Sequence, residues 1–192
     1  MPFLSEDDRR FLLELARRAI AEAVSLRVPV DAVPRGGVFS DKRGVFVTLH
    51  VSGRLRGCIG VVEAFEPLWQ AVVRCATGAA LHDPRFPPVR ADEIPRLRVE
   101  ISLLSPLEPV LPENIEIGRH GLLISQGVKR GLLLPQVAVE HELGRDEFLR
   151  ETCRKAGLPA KAWEEQETEI LGFTCEIFAE DENAGDQAPV NR

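Results

Sequence analysis

The sequence has no long hydrophobic run, no excess of positive charge and no closely spaced cysteines, and each absence argues against a class of protein. No apolar run approaches the roughly 18 residues that a membrane-spanning helix needs. Lys and Arg number 24 against 30 Asp and Glu, a formal net charge of -6. This balance argues against nucleic acid as the main partner, because phosphate binding requires a basic surface. The start, MPFLSEDDRR, lacks the basic-then-apolar order of a secretory signal. We therefore expect a cytoplasmic protein that does not associate with a membrane.

The four cysteines are widely scattered and include no C-x-x-C pair; they are Cys58, Cys75, Cys153 and Cys175. Structural zinc sites usually contain such pairs, and disulfide scaffolds carry denser cysteines in shorter chains. We therefore expect reduced thiols, no metal site and no cofactor.

Two hydrophobic periods alternate along the chain. Apolar residues at helical spacing follow a capping sequence at Ser5 and Asp8, which predicts a first helix. The same spacing predicts helices over 68–81 and around 148–156, and Gly157 ends the last of them. Pro29 and Pro34 end the first helix. A period of two marks strands over 45–51, 55–59, 97–103 and 171–177. Shorter strands are expected at 37–40, 115–117, 122–124 and 132–134, with Pro135 at the end or edge of its strand.

This order of elements predicts an α+β fold with a largely antiparallel sheet flanked by helices, since the strands pair through short turns. The length of 192 residues suits one domain. We assign residues 1–179 to that domain and predict that the acidic segment 180–192 is disordered.

The segment LRGCIG, residues 55–60, places a cysteine between two glycines in a predicted strand. Glycine weakens a strand interior, so either a neighbouring backbone passes close by or a ligand must reach the sulfur. A three-residue hairpin loop keeps the apolar side chains of the two strands together. This register places Cys58 beside Thr48 and Arg56 beside His50.

Several motifs together resemble the AMMECR domain family, whose prokaryotic members are also called protein A of the AmmeMemoRadiSam system. They occur in the family's order and spacing and are LRGCIG, HDPRFPPV, VEISLLSPLEPV, HGLLIS, RGLLLPQVAVEH and CRKAGLP. The resemblance extends over about residues 8–178. It implies an α+β fold with a larger and a smaller subdomain and a cleft between them. It also implies a Memo-like protein and a radical S-adenosylmethionine protein as partners, but no known reaction.

The hexapeptide has been suggested as the functional centre of that family, and all six of its residues are present here. Cys58 is a candidate nucleophile because the neighbouring guanidinium groups of Arg54 and Arg56 favour a thiolate. His82 and His50 are the candidate bases, since histidine titrates near neutral pH.

Further candidate residues would bind a ligand or a partner: Arg56, Gly57, Gly60, Arg85, Glu100 and Gln136. The segment Asp83-Pro84-Arg85 predicts first a turn with an internal salt bridge, and Arg85 is also suited to bind a carboxylate or phosphate group. Each residue also has a structural interpretation: cysteine is often a buried apolar filler, and glycines also allow close packing. The structural alternative for His82 is a residue that ends the preceding helix.

The leading hypothesis is that a cleft at LRGCIG binds a small molecule or a partner segment, acting with the two partner proteins in a modification pathway. A thiol-dependent enzyme with Cys58 as nucleophile is the first alternative, and an RNA-binding module is the second. The sequence leaves open whether the protein is an enzyme.

Overall fold

A computed structural model describes residues 4–25, 36–63 and 65–181. The chain divides into two compact units, Met1–Leu103 with Glu176–Arg192, and Leu104–Cys175. Each unit contains helices and one four-stranded sheet, as the predicted α+β class requires.

The first unit contains two helices and a sheet with the strand order β2-β1-β3-β8. Its bounds are α1 Glu6–Val24, β1 Val45–Val51, β2 Arg54–Val61, α2 Leu68–Leu81, β3 Leu97–Leu104 and β8 Cys175–Ala179. The strand β1 is central and pairs antiparallel with both β2 and β3. Among the strands of the described residues, β2 pairs only with β1, so the hexapeptide lies on an edge strand.

Helices α1 and α2 cover the apolar face of this sheet. The capping box predicted at the start of α1 is present, with Ser5 as the N-cap and Asp8 as its partner. One stripe of α1 is buried, and α2 is buried over most of its surface, as its nearly all-apolar sequence predicts.

Glu180 connects the end of the described chain to the sheet and to α1. Its main-chain N–H donates to the Val99 carbonyl, and its carboxylate binds the guanidinium of Arg17. Most of the predicted acidic tail, and also Pro29 and Pro34, lie outside the described residues.

The second unit contains a sheet with the order β4-β7-β5-β6, in which all neighbours are antiparallel. Its bounds are β4 Glu108–Pro109, β5 Gly121–Gln126, β6 Lys129–Leu133, α3 Pro135–Glu140, α4 Arg145–Lys155 and β7 Glu169–Phe173. Gly157 ends α4 with a φ of 71°, as predicted.

Four local predictions were wrong. Residues 37–40 form a short 3₁₀ helix in place of a strand, since Gly36 and Gly37 both have positive φ. Residues 115–117 follow a short 3₁₀ helix and form no strand. Pro135 begins α3, two residues after β6 ends.

The fourth error concerns the last predicted strand, which is two strands in different sheets. The chain leaves the ladder at Thr174, whose main chain bonds to Ser105 through both its N–H and its carbonyl. A continuous alternation of apolar residues cannot reveal that a strand changes sheet, because both halves bury alternate side chains.

Candidate functional site

The site is built on the β1–β2 hairpin, and its register near Cys58 is the predicted one. Cys58 lies opposite Thr48 on β1, and Ile59 lies opposite Val47. The Thr48 hydroxyl donates a hydrogen bond to the Cys58 sulfur, with 3.3 Å between oxygen and sulfur. The Cys58 side chain is half-buried. The sulfur therefore accepts a hydrogen bond from a hydroxyl, and both groups lie on the face of the sheet that is turned away from α2.

The hairpin loop itself differs from the prediction. Arg54 pairs with Val51, so the loop is the two-residue turn Ser52–Gly53, in which both φ angles are positive. Leu55 pairs with His50, and a shift in register near Leu49 restores the predicted pairing by Gly57. The sequence argument missed this bulge because it treated both strands as regular.

Asp83 connects the end of α2 to the main chain of Cys58. Pro84 ends the helix, because a residue before proline resists helical geometry, and this leaves Asp83 beside the edge of β2. Its carboxylate accepts a 2.8 Å hydrogen bond from the Cys58 main-chain N–H. Asp83 is 5% exposed, so a charged group is held almost out of water at the hexapeptide.

Arg85 pairs with this buried carboxylate. Its Nε and Nη2 donate to the two Asp83 oxygens at 3.0 and 2.7 Å, and its main-chain N–H donates at 3.0 Å. These bonds hold the pKa of Asp83 far below its usual range, with the Arg85 side chain as the largest cause. The pKa of Arg85 is raised, first by Asp83 and in smaller part by Cys58.

One edge of the Arg85 guanidinium remains available for a ligand. Nη2 also reaches the Cys58 carbonyl at 3.4 Å, and the group lies 5.5 Å from the Phe86 ring centre. Within the described part of the chain, Nη1 makes no hydrogen bond. The side chain is 56% exposed. Arg85 is thus fixed on one side and open on the other, next to Cys58.

Arg56 is used inside the protein. Its Nε and Nη2 bind the Glu93 carboxylate at 2.8 and 3.0 Å. Its two Nη atoms also donate to the carbonyls of Pro87 and Pro88. Its pKa is raised, with the Glu93 hydrogen bond as the largest cause. These bonds fix the loop after α2 to β2.

Neither hexapeptide glycine opens space for a ligand. A Cβ on Gly57 would lie 2.1 Å from the carbonyl oxygen of Ala79 in α2. A Cβ on Gly60 would lie 2.2 Å from the Phe46 ring. Close packing explains both positions, which was the structural interpretation of the motif.

Glu100 shares the sheet face with Cys58. It lies on β3 opposite Thr48, which lies opposite Cys58 on the other side. Its side chain is 24% exposed, and a carboxylate oxygen is 3.9 Å from Arg98 Nη1. The three strands therefore align Cys58, Thr48 and Glu100 in one row.

His82 and Gln136 are placed without a link to this row. His82 is exposed and ends α2 through its main-chain N–H. Among the described residues no hydrogen bond joins its imidazole to Cys58. Gln136 belongs to the second unit, where its side-chain oxygen is buried and accepts no hydrogen bond from the described residues.

Thr48, Phe86 and Asp83 were not among the predicted site residues. HDPR contained the signal for Asp83, since an aspartate before proline favours a turn with local side-chain bonds.

Over the ranges that the structure covers, no three His, Cys, Asp or Glu side chains are grouped to hold a metal ion. No helix in those ranges is long and apolar enough to cross a membrane.

Comparisons with known proteins identify one matching family model and several archaeal relatives. A sequence model of the AMMECR1 family matches residues 13–178. A protein of Methanothermobacter thermautotrophicus is 46% identical over 189 residues, covering 93% of this chain and 97% of its own. Protein PF1979 of Pyrococcus furiosus is 43% identical, covering 95% and 91%. The crystal structure of the uncharacterised protein PH0010 from Pyrococcus horikoshii superposes with a TM-score of 0.86 at 40% identity, covering 93% of this chain and 94% of that one.

Proposed function

The chain belongs to the AMMECR1 family, and on this premise we propose that its LRGCIG hairpin forms a recognition site for an anionic group. Arg85 binds a carboxylate or phosphate group of a small molecule or a partner segment. Cys58, Thr48 and Glu100 contact the rest of that ligand from the adjacent sheet face. Arg56, Gly57 and Asp83 hold this arrangement together without touching the ligand.

One observation carries the proposal: the Arg85 guanidinium is anchored by a buried carboxylate while its Nη1 edge is open. An arginine that is already fixed loses little side-chain entropy when it binds, so more of the interaction energy appears as affinity. The planar guanidinium also matches the geometry of carboxylate and phosphate groups. Arg56 offers no such edge, because its guanidinium already donates hydrogen bonds to Glu93 and to two main-chain carbonyls.

We extend the proposal to the partners implied by the resemblance to protein A of the AmmeMemoRadiSam system. The site acts together with a Memo-like protein and a radical S-adenosylmethionine protein in a modification pathway, and one of them supplies the anionic group. Co-purification of the three proteins from one genome tests this extension. The extension predicts that Arg85→Ala reduces the amount of partner protein recovered.

The binding test uses inorganic phosphate and acetate as probes, titrated at constant ionic strength into protein labelled with ¹⁵N. We expect the largest amide shifts at Cys58 and Arg85, and we expect Arg85→Ala to abolish them. Arg10→Ala is the matched control, because Arg10, on α1, is also exposed and also pairs with an aspartate three residues away. Equal shifts in wild type and Arg85→Ala would contradict the proposal.

A thiol-dependent enzyme is the second candidate, favoured by the Thr48 hydrogen bond to the sulfur and by the nearness of Arg85. In this reaction the Cys58 thiolate attacks an acyl carbon, forms a thioester and expels the leaving group, after which water hydrolyses the thioester. It ranks second because no base among the described residues is hydrogen-bonded to the sulfur.

The enzyme candidate is tested with p-nitrophenyl acetate and intact-mass spectrometry. A thiol enzyme releases p-nitrophenol over many turnovers and carries a transient acetyl group on Cys58, and Cys58→Ser abolishes both. Release of at most one equivalent per chain would leave recognition as the function.

A further inference from the structure

A second arginine, Arg96, lines a depression that also includes Phe86, the aromatic neighbour of Arg85. The depression has a volume of about 580 Å³ and is lined in part by Phe86, Pro87, Pro88 and Arg96. Phe86 connects it to the proposed site, since the Arg85 guanidinium lies 5.5 Å from its ring centre. The surface is therefore continuous from Arg85, over an aromatic ring and two exposed prolines, to Arg96.

Arg96 is available to a ligand in the same sense as Arg85. It is exposed at the end of a short 3₁₀ helix, and within the described part of the chain its guanidinium makes no hydrogen bond. Its positive charge contributes to the lowered pKa of Asp92, whose largest cause is the hydrogen bond from Arg90. Asp92 itself is bound by Arg90 through two hydrogen bonds.

The charge balance of this surface favours a moderately acidic peptide over a polyanion. Its arginines are Arg56, Arg85, Arg90 and Arg96, and its carboxylates are Asp83, Asp92 and Glu93. One net positive charge therefore remains, in a protein with a formal net charge of -6. RNA binding relies on the neutralisation of many phosphates. A peptide with two carboxylates requires only two open guanidinium edges, with apolar contact between them.

We propose that this surface, from Arg85 across Phe86, Pro87 and Pro88 to Arg96, docks an acidic segment of a partner protein. One carboxylate of the segment binds Arg85 and a second binds Arg96. Apolar side chains between the carboxylates pack on Phe86 and the two prolines. The inference rests on the proposed function, because Arg85 is shared, and it adds the class of the partner.

The test measures fluorescence polarisation of labelled peptides in which leucines of increasing number separate two glutamates. Matched peptides carry glutamine in place of glutamate. We expect the glutamate peptides to bind wild type at low salt and the glutamine peptides to bind more weakly. Arg96→Ala and Arg85→Ala should each weaken the best peptide by about two- to fivefold. Arg10→Ala, an exposed arginine on α1 of the same unit, should leave its affinity unchanged.

Other outcomes would overturn the inference. An affinity that is insensitive to Arg96→Ala, or equal for glutamate and glutamine peptides, would contradict it. So would an oligouridine RNA that binds more tightly than every peptide and depends on Arg96. If no peptide binds but phosphate or acetate still shifts Cys58 in an Arg85-dependent manner, only this inference fails. If Arg85→Ala changes the binding of none of these probes, the proposed function fails as well.

Discussion

The carboxylate of Asp83 accepts a 2.8 Å hydrogen bond from the main-chain N–H of Cys58. The same carboxylate binds the Arg85 guanidinium, which donates in turn to the Cys58 carbonyl. The main-chain N–H and the main-chain carbonyl of Cys58, a residue on an edge strand, thus both form hydrogen bonds with the Asp83–Arg85 pair. This pair occupies the position that another strand would take, and it brings an arginine beside the thiol.

Asp83→Asn should lower the free energy of unfolding by about 2 kcal/mol, the usual contribution of hydrogen bonds to a charged group. Asparagine keeps one acceptor oxygen but has no negative charge. It therefore cannot accept both hydrogen bonds from the Arg85 guanidinium as the carboxylate does. Asp92→Asn is the matched control: it also pairs with an arginine two residues away but is 57% exposed. Urea unfolding should show little change in the control. Equal losses in the two variants would contradict the assigned role of Asp83.

The stabilisation from Asp83 should depend on pH. Because the pKa of Asp83 is lower in the folded protein than in the unfolded chain, the unfolded chain binds more protons at acidic pH. The stabilisation is fully present above the unfolded-state value of about 3.9 and is lost as the pH falls below it. Urea titrations from pH 7 to pH 3 should show the difference between wild type and Asp83→Asn shrinking. A constant difference would contradict this prediction.

Gly57→Ala should destabilise the first unit by about 3 kcal/mol or more, because the added Cβ would lie 2.1 Å from the Ala79 carbonyl oxygen. Helix α2 must then move away from the strand. At Gly144, whose φ of -72° suits alanine, the nearest atom to an added Cβ is 3.8 Å away. We therefore expect Gly144→Ala to cost less than about 1 kcal/mol. Similar losses at the two positions, measured by urea unfolding, would show that Gly57 is not packed as described.

Cys58 should be the cysteine that iodoacetamide modifies first in the folded protein. Cys75 and Cys153 are buried, and burial raises the pKa of Cys75 to about 11. Cys175 is half-buried like Cys58, but burial raises its pKa to about 12, which leaves almost no thiolate at pH 8. Peptide mass spectrometry should show that Cys58 is labelled before Cys175, at a rate at least about tenfold higher. Comparable rates at the two residues would contradict the accessibility of the thiol.

Arg17→Lys should lower the free energy of unfolding by about 1 to 3 kcal/mol. Arg17 binds the Glu180 carboxylate and the carbonyls of Ile94 and Leu97. A lysine ammonium group cannot reach all three acceptors. Arg18→Lys is the control, because Arg18 is exposed on the same helix. Urea unfolding in which both variants match wild type would show that these bonds do not anchor α1.

Hydrophobic period predicted the helices and strands of the first unit well because one face of each element is buried. The strands of the β1–β2 hairpin and helix α2 were placed within a residue or two of their bounds. Period could not predict the break at Thr174 or the bulge beside Leu49. Both depend on main-chain bonds to residues distant in sequence or on the opposite strand, which side-chain patterns do not encode.

The candidate site was predicted in part. The pairing of Cys58 with Thr48 followed from register, since a shift of one residue would turn apolar side chains toward water. The internal use of Arg56 could not be derived, because Glu93 is 37 residues away in sequence. The anchoring of Arg85 was within reach, since an internal pair with Asp83 was one interpretation of the segment HDPR. Its contact with the Cys58 carbonyl required the three-dimensional structure.

The most direct test of the central claim is the rate of Cys58 alkylation by iodoacetamide with and without inorganic phosphate, at constant ionic strength. If Arg85 binds an anion beside an accessible thiol, phosphate should slow alkylation of Cys58 in wild type and have no effect in Arg85→Ala. An unchanged rate in wild type, or an equal slowing in both proteins, would contradict the account.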